Sequence, residues 1–137
     1  MDGVMKILLV EKESDETVTA FLLRGLGYEV IVKGSAGEAM AELAVNPYQL
    51  VIANINLPEG DARRLLGNIK ADATQAGIPV VIISPYSEEF EFEIARCISA
   101  GAEDVLSADI LETIVSTRVQ SIFEKRALRE KEKVYLS

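Results

Sequence analysis

The sequence predicts an α/β fold in which a parallel β-sheet is covered on both faces by helices. Short apolar runs of about four to six residues alternate five times with segments whose apolar residues recur at helical spacing. The runs are continuously apolar, which is typical of strands buried on both faces. Because crossovers between parallel strands are right-handed, only a few doubly wound arrangements of five strands and five helices remain.

The first strand–helix unit begins at residues 5–10, an apolar run too short for a helix. The following helix can be capped by Ser14 and ended by Gly27, a residue that tolerates positive φ. Residues 28–32 form the second strand. The helical spacing predicts that this helix packs on the sheet through Val18, Phe21, Leu22 and Leu26.

The second helix is predicted from its capping box, in which Ser35 is followed three residues later by Glu38. It extends to about Val45, where the Asn46-Pro47 pair ends it. Residues 50–53 are the third buried strand. The third helix presents an apolar stripe of Leu65, Leu66 and Ile69.

The fourth strand covers residues 78–83, with Pro79 at its entry, where a missing N–H is tolerated. A helix over residues 87–100 follows and ends at Gly101, and residues 103–106 form a short fifth strand. A final helix is predicted from about residue 109, with an apolar stripe of Leu111, Ile114, Val115, Val119 and Ile122.

The composition excludes several classes of function. The 137 residues include 22 acidic and 14 basic side chains and no histidine, so Ser-His-Asp sites, Cys-His sites and histidine-ligated zinc are ruled out. The single cysteine, Cys97, excludes a disulfide within the chain and is predicted to be buried in the fourth helix. The net charge of −8 argues against binding to nucleic acid or to an anionic membrane. Without an apolar run long enough for a signal peptide or a membrane span, a cytoplasmic protein is predicted.

The charge is unevenly distributed along the chain. Residues 121–137 carry five basic and three acidic side chains, whereas the preceding 120 residues carry a net charge of −10. We therefore predict one domain over residues 1–123 and a charged helical extension over residues 124–137. The extension is either a solvated helix end or, as we predict, a linker towards a second domain, with Leu128 and Tyr135 one heptad apart.

Ligand sites of doubly wound sheets lie at the carboxyl ends of the strands, where the strand order reverses. The chemistry of this protein is therefore expected in the segments that follow strands 1, 3, 4 and 5. These segments are Glu11-Lys12-Glu13, Asn54-Ile55-Asn56-Leu57-Pro58, Ser84-Pro85-Tyr86 and Ser107-Ala108-Asp109.

Four segments in this order resemble the receiver domain of two-component response regulators. They are the opening ILLVE, the central YQLVIANINLP, IPVVIIS at the fourth strand and AGAEDVLSADI at the fifth. The resemblance covers residues 5 to about 123 and implies a flavodoxin-like sheet with strand order 2-1-3-4-5. An unrelated domain of flavodoxin-like architecture is the alternative.

The resemblance also implies a site. Receivers accept a phosphoryl group on an aspartate at the end of strand 3, and a carboxylate nucleophile is what this transfer needs. In the family, that aspartate, an acidic pair after strand 1 and a backbone carbonyl two residues beyond the acceptor hold Mg²⁺. A hydroxyl after strand 4 and a lysine after strand 5 contact the phosphoryl oxygens.

Most of this apparatus is replaced here. Asn54 stands at the acceptor position, and an amide is a very poor nucleophile. Glu11 matches the first acid of the pair, but Lys12 occupies the second position, and Ala108 replaces the lysine. The matches that remain are Ser84 at the hydroxyl position and Asn56 at the carbonyl position, while Val105 stands where the family often has an aromatic switch residue.

The matched side chains Glu11, Lys12, Asn54 and Ala108 sum to zero charge, which leaves little attraction for a divalent cation. The Lys12 ammonium can lie between Glu11 and Asn54, in place of both the ion and the missing lysine. A metal-free site with Lys12 pointing into solvent is the competing arrangement.

We therefore predict a degenerate receiver, or pseudo-receiver, in bacterial signalling, which is not an enzyme, needs no cofactor and is not phosphorylated on aspartate. It would act through protein partners, by dimerisation through helix 4, strand 5 and helix 5 or by contact with an output or kinase domain. A working phosphoacceptor that uses Mg²⁺ and a non-standard residue is the alternative, and a small-ligand sensor is a third possibility. Phe90 and Phe92 cannot both face the domain core at a spacing of two in a helix, so one exposed aromatic is predicted, either at a contact surface or exposed to solvent without a role.

Overall fold

The computed structural model describes residues 5–12, 18–57, 61–84, 91–107 and 112–136, and within these the side chains of 107, 112–116, 118, 130 and 132–136 are left out of the description. The strands of this part of the chain are β1 (Lys6–Val10), β2 (Glu29–Lys33), β3 (Leu50–Asn54), β4 (Val80–Ser84) and β5 (Asp104–Ser107). The helices are α1 (Val18–Gly25), α2 (Ala36–Val45), α3 (Asp61–Ala71), α4 (Glu91–Ser99) and α5 (Glu112–Leu136).

The five strands form one sheet in the order β2-β1-β3-β4-β5, and each neighbouring pair is parallel. This arrangement confirms the predicted α/β class and strand order. Strand β1 pairs with β2 and β3, which places the reversal of strand order between β1 and β3. The carboxyl ends of these two strands therefore border the crevice in which doubly wound folds place their ligands.

The core lies in two layers, one on each face of the sheet, because successive side chains of a strand point to opposite faces. Leu8 and Val10 of β1 face α2, α3 and α4, whereas Ile7 and Leu9 face α1 and α5. All four side chains are completely buried. Burial on both faces explains why the strands read as continuous apolar runs.

The predicted ends of several elements are confirmed. The Ser35 hydroxyl accepts a hydrogen bond from the Glu38 N–H at 3.1 Å, and α2 ends at Asn46 as its C-cap. Gly27 and Gly101 follow α1 and α4 with φ of 95° and 105°, in the region that favours glycine. Strands β2 and β5 lie one residue further along the chain than predicted. The predicted beginnings of the fourth and fifth helices, and Leu111, lie outside the described residues.

The predicted packing face of α1 is wrong. Val18 and Phe21 are exposed by 74% and 72%, and Leu26 is also exposed, whereas Ala20 and Leu23 are fully buried. Both stripes have helical spacing, so periodicity alone cannot choose between them. Alanine at the contact lets the helix lie close to the sheet, and this leaves the larger side chains on the outer side.

Helix α5 continues without a break to Leu136, far beyond Phe123, whose side chain still packs in the core. Beyond that point the Arg126 guanidinium donates a hydrogen bond to the Gly77 carbonyl. Lys125 and Arg129 each lie 3.6 Å from the Glu103 carboxylate. The basic extension is therefore in contact with the domain. Within the described parts of the chain, none of the helices has the length and apolar character needed to cross a bilayer.

Candidate functional site

The carboxyl ends of β1, β3 and β4 lie side by side and bring the predicted site residues to one edge of the sheet. Ala53 of β3 pairs with Val10 on one side and with Ile82 on the other. One residue later, Asn54 pairs with Ile83. Glu11, Asn54 and Ser84 therefore follow or end three adjacent strands, as the sequence predicts.

Glu11 is held inwards at the end of β1. Its N–H donates to the Lys33 carbonyl at 3.0 Å, which extends the ladder between β1 and β2 by one more bond. The residue is only 8% exposed. Among the described residues at the positions that match the receiver site, Glu11 supplies the carboxylate.

Asn54 uses its side chain to shape the loop that follows β3. Its Oδ1 accepts a hydrogen bond from the Asn56 N–H at 2.8 Å, and its carbonyl accepts from the Leu57 N–H at 3.2 Å. The first bond forms an Asx turn, in which a side-chain oxygen takes the place of a backbone acceptor, and the second is the bond of a β-turn. The amide oxygen is thus already engaged by the backbone of its own loop.

Lys12 is exposed, although its neighbour Glu11 is buried. The ion pairs among the described residues do not join Lys12 to Glu11. The exposure of Lys12 is compatible with the arrangement in which its ammonium points into solvent, and that arrangement stays a prediction.

Ser84 and Val105 lie on neighbouring strands. Ser84 ends β4 and is 3% exposed, so the hydroxyl position of the site is buried. Val105 is partly buried and packs against the core layer under α2, α3 and α4. Its N–H bonds to the Asp104 carboxylate at 2.9 Å. Ala108, Pro85, Glu13 and Phe90 lie outside the described residues.

The donor set at this edge suits Mg²⁺ poorly. Divalent magnesium prefers several oxygen ligands that include one or two carboxylates. The matched and described positions supply the Glu11 carboxylate, the engaged Asn54 oxygen and the Asn56 carbonyl. Across the described parts of the chain, no group of three cysteine or acidic side chains is arranged to hold a metal ion.

Helix α4 carries features that the sequence analysis anticipated only in part. Phe92 is 70% exposed, in agreement with the expectation of one outward aromatic, and Cys97 is fully buried as predicted. Burial raises the pKa of the Cys97 thiol, Glu93 raises it further and Arg63 opposes the shift. Two arginines lie near Phe92, and no local sequence pattern predicts them: the Arg96 guanidinium lies 4.6 Å from the ring centroid, and Arg63 pairs with Glu93 at 3.2 Å.

A polar cluster of Glu42, Asn46 and Tyr48, which the sequence did not predict, lies near the amino end of β3. The Tyr48 hydroxyl donates to the Glu42 carboxylate at 2.6 Å, and the Asn46 amide donates to the same oxygen at 2.8 Å. These bonds lower the pKa of Glu42. Burial, together with the hydrogen bond to Glu42, raises the pKa of Tyr48. The cluster joins α2 to the segment before β3 and has a structural role.

Comparison with known proteins gives matches in both sequence and structure. The response regulator receiver domain family matches residues 7–120. The two-component response regulator ORR11 of Oryza sativa subsp. indica is 33% identical over 112 residues, which cover 80% of this chain and 75% of that protein.

Two solved structures are also similar. The phosphorylated cyanobacterial phytochrome response regulator RcpA is 25% identical, with a TM-score of 0.69 over 89% of this chain and 93% of its own. NtrX from Brucella abortus is 24% identical, with a TM-score of 0.79 over 94% of this chain but only 29% of its own. The fold is thus shared with nearly all of the RcpA chain and with less than a third of the NtrX chain.

Proposed function

The chain belongs to the receiver-domain family of two-component response regulators, and we propose that it is a degenerate member of that family. In this proposal it accepts no phosphoryl group on aspartate, needs no metal ion and signals in the cytoplasm through contacts with other proteins. The role is that of a signalling module and not of an enzyme.

The observation that carries the proposal is Asn54 at the carboxyl end of β3. Asn54 ends β3 and Glu11 follows the neighbouring strand β1, and the family resemblance implies a nucleophilic carboxylate at the Asn54 position. A neutral amide cannot form the acyl phosphate. The Asn54 Oδ1 is in addition occupied by the Asn56 N–H, so the side chain serves as a fixed turn element.

The charges around Asn54 support the same conclusion. A transferring phosphoryl group needs cations that stabilise its negative oxygens, usually a metal ion and a lysine. Here the exposed Lys12 stands at the position of the family's second metal-binding acid. Ala108 stands at the position of the family's lysine. The buried Glu11 carboxylate would repel an incoming phosphate, because no cation from the described residues pairs with it.

The contacts through which the domain signals are proposed to involve α4, β5 and α5, either in self-association or with an output or kinase domain. Ile98 on α4 and Leu128 on α5 are exposed by 57% and 61%, so each of these helices has a large aliphatic side chain available for contact with a partner. The uninterrupted α5 gives a rigid path out of the domain. The Brucella protein, in which the similar region is less than a third of the chain, is consistent with such a linker.

The phosphorylation claim is tested by incubating the protein with Mg²⁺ and acetyl phosphate and measuring its intact mass. We expect no phosphoryl adduct for the natural chain or for Asn54→Asp alone, because Lys12 and Ala108 remain in place. The phosphorylated regulator RcpA is the positive control. A hydroxylamine-labile adduct on the natural chain would contradict the proposal and favour a phosphoacceptor that uses a non-standard residue.

The contact claim is tested by light scattering of the full-length chain. If the α4 face mediates self-association, Ile98→Glu lowers the average mass towards that of the monomer. Val45→Glu is the matched control, because Val45 is also a large exposed aliphatic residue, at 74%, but lies on α2. Equal masses for the natural chain and Ile98→Glu would count against self-association through this face.

A further inference from the structure

A second surface lies on the side of α4 that faces α3, and the proposed degenerate site does not use it. It is an open depression of about 490 Å³ between the two helices. Its lining consists of Arg63, Phe92, Ala95, Arg96, Ser99 and Ala100. The small side chains along its floor leave room for a side chain from another molecule.

Phe92 and Arg96 are the exposed aromatic and basic side chains of this depression. The ring is 70% exposed, and the Arg96 guanidinium lies over it at 4.6 Å from the centroid. A cation over the face of an aromatic ring is attracted by the ring quadrupole, so each side chain restricts the other. The N–H groups at the edge of a stacked guanidinium remain available to bind a carboxylate in a bidentate way.

The charge of the depression is positive although the chain as a whole carries −8. Arg63 is paired with Glu93 at 3.2 Å, and the ion pairs among the described residues do not include Arg96. Arg63, Glu93 and Arg96 together therefore carry one net positive charge. A single cation beside an exposed aromatic ring suits one carboxylate that is accompanied by an apolar group.

We infer that this depression binds an acidic segment of a protein partner, in which a glutamate or aspartate reaches Arg96 while a neighbouring apolar side chain covers Phe92. Arginine and aromatic residues are the types that dominate binding energy at protein interfaces. A nucleic acid is a poor occupant because its backbone is bound through many cations, whereas the lining supplies one guanidinium, that of Arg96, outside the ion pairs of the described residues. A free phosphate would meet one guanidinium that the ion pairs of the described residues leave available, in a depression that is open to solvent.

The inference is tested by titrating the full-length protein with an amphipathic helical peptide of glutamate, leucine and alanine. Binding is followed through the backbone amide shifts of residues 91–100 and through calorimetry. We expect a weak complex whose affinity falls about tenfold in Arg96→Gln, since hydrogen bonds between charged partners are the strong ones. A loss of similar size is expected for Phe92→Ala, and the same peptide with glutamine in place of glutamate binds much more weakly.

Two variants serve as matched controls. Arg64→Gln removes the same charge from the neighbouring position of α3, where Arg64 pairs with Asp61 and does not line the depression. Phe21→Ala removes an equally exposed phenylalanine, at 72%, from α1. Both are expected to bind the peptide within twofold of the natural chain.

Three results would overturn the inference. The first is the absence of binding at millimolar peptide. The second is binding that Arg96→Gln and Phe92→Ala leave unchanged, which would place the peptide elsewhere, for example on the apolar face of α1. The third is inorganic phosphate shifting the same amides with comparable affinity, which would indicate a small-anion site. None of these results bears on aspartyl phosphorylation, so the failure of this inference is distinct from failure of the proposed function.

Discussion

Two of the contacts between the basic extension of α5 and the acidic domain converge on one carboxylate, that of Glu103. The Glu103 Oε2 lies 3.6 Å from both the Lys125 ammonium and the Arg129 guanidinium. At that separation the Coulomb energy in water is about 1 kcal/mol for each pair, and measured values for exposed pairs are about 0.2–1 kcal/mol. The two basic side chains are more than half exposed, so we take about 1 kcal/mol for both pairs together.

Replacing this carboxylate in Glu103→Gln is therefore expected to loosen the extension without unfolding the domain. A loss of about 1 kcal/mol raises amide hydrogen exchange of residues 124–131 roughly fivefold, measured by mass spectrometry at low salt. In ~1 M salt the difference between the variant and the natural chain should shrink, because the Debye length falls to about 3 Å. Glu124→Gln is the control, since Glu124 is exposed on the same helix and is not one of the partners of Lys125 or Arg129. Equal exchange in the natural chain and Glu103→Gln, or an equal effect of Glu124→Gln, would refute this reasoning.

Three further outcomes follow from buried side chains. Leu65→Ala should lower the free energy of unfolding by about 3–5 kcal/mol in urea titrations, because Leu65 is fully buried between α3 and the sheet. The raised pKa of Tyr48 means that its contribution to stability is complete below about pH 10 and is lost as the pH rises through the folded-state pKa. Tyr48→Phe should therefore flatten the alkaline part of a stability–pH curve, and an unchanged curve would contradict the assignment. Because burial raises the pKa of Cys97, its alkylation by iodoacetamide should be slow in the native chain and fast in denaturant, as followed by mass.

The fold could be predicted from the sequence because its signals are local. Apolar runs such as residues 50–53 and the capping box at Ser35 depend on neighbours within a few positions, and the structure confirms both. The composition of the strand-end site follows in the same way, since a residue that comes directly after a buried strand lies at the sheet edge. The sequence therefore predicts that Glu11 and Asn54 belong to this site, although it does not predict the contacts of their side chains.

What the side chains do at those positions depends on tertiary contacts. The sequence left Lys12 with two arrangements, and only the packing around β1 shows it exposed beside the buried Glu11. The turn in which Asn54 binds the Asn56 N–H likewise follows from the path of the loop.

The sequence by itself determined the class of fold, the strand order through family resemblance, and the presence of Asn54 at the predicted acceptor position. The tertiary structure decided which stripe of α1 faces the sheet, how Arg96 and Phe92 meet beside α3, and where the basic extension is held. The physical reason is the separation along the sequence over which each kind of interaction acts. Helical periodicity and capping act within one or two turns, whereas the contact of Arg126 with Gly77 joins residues 49 positions apart, and only the folded sheet brings them together.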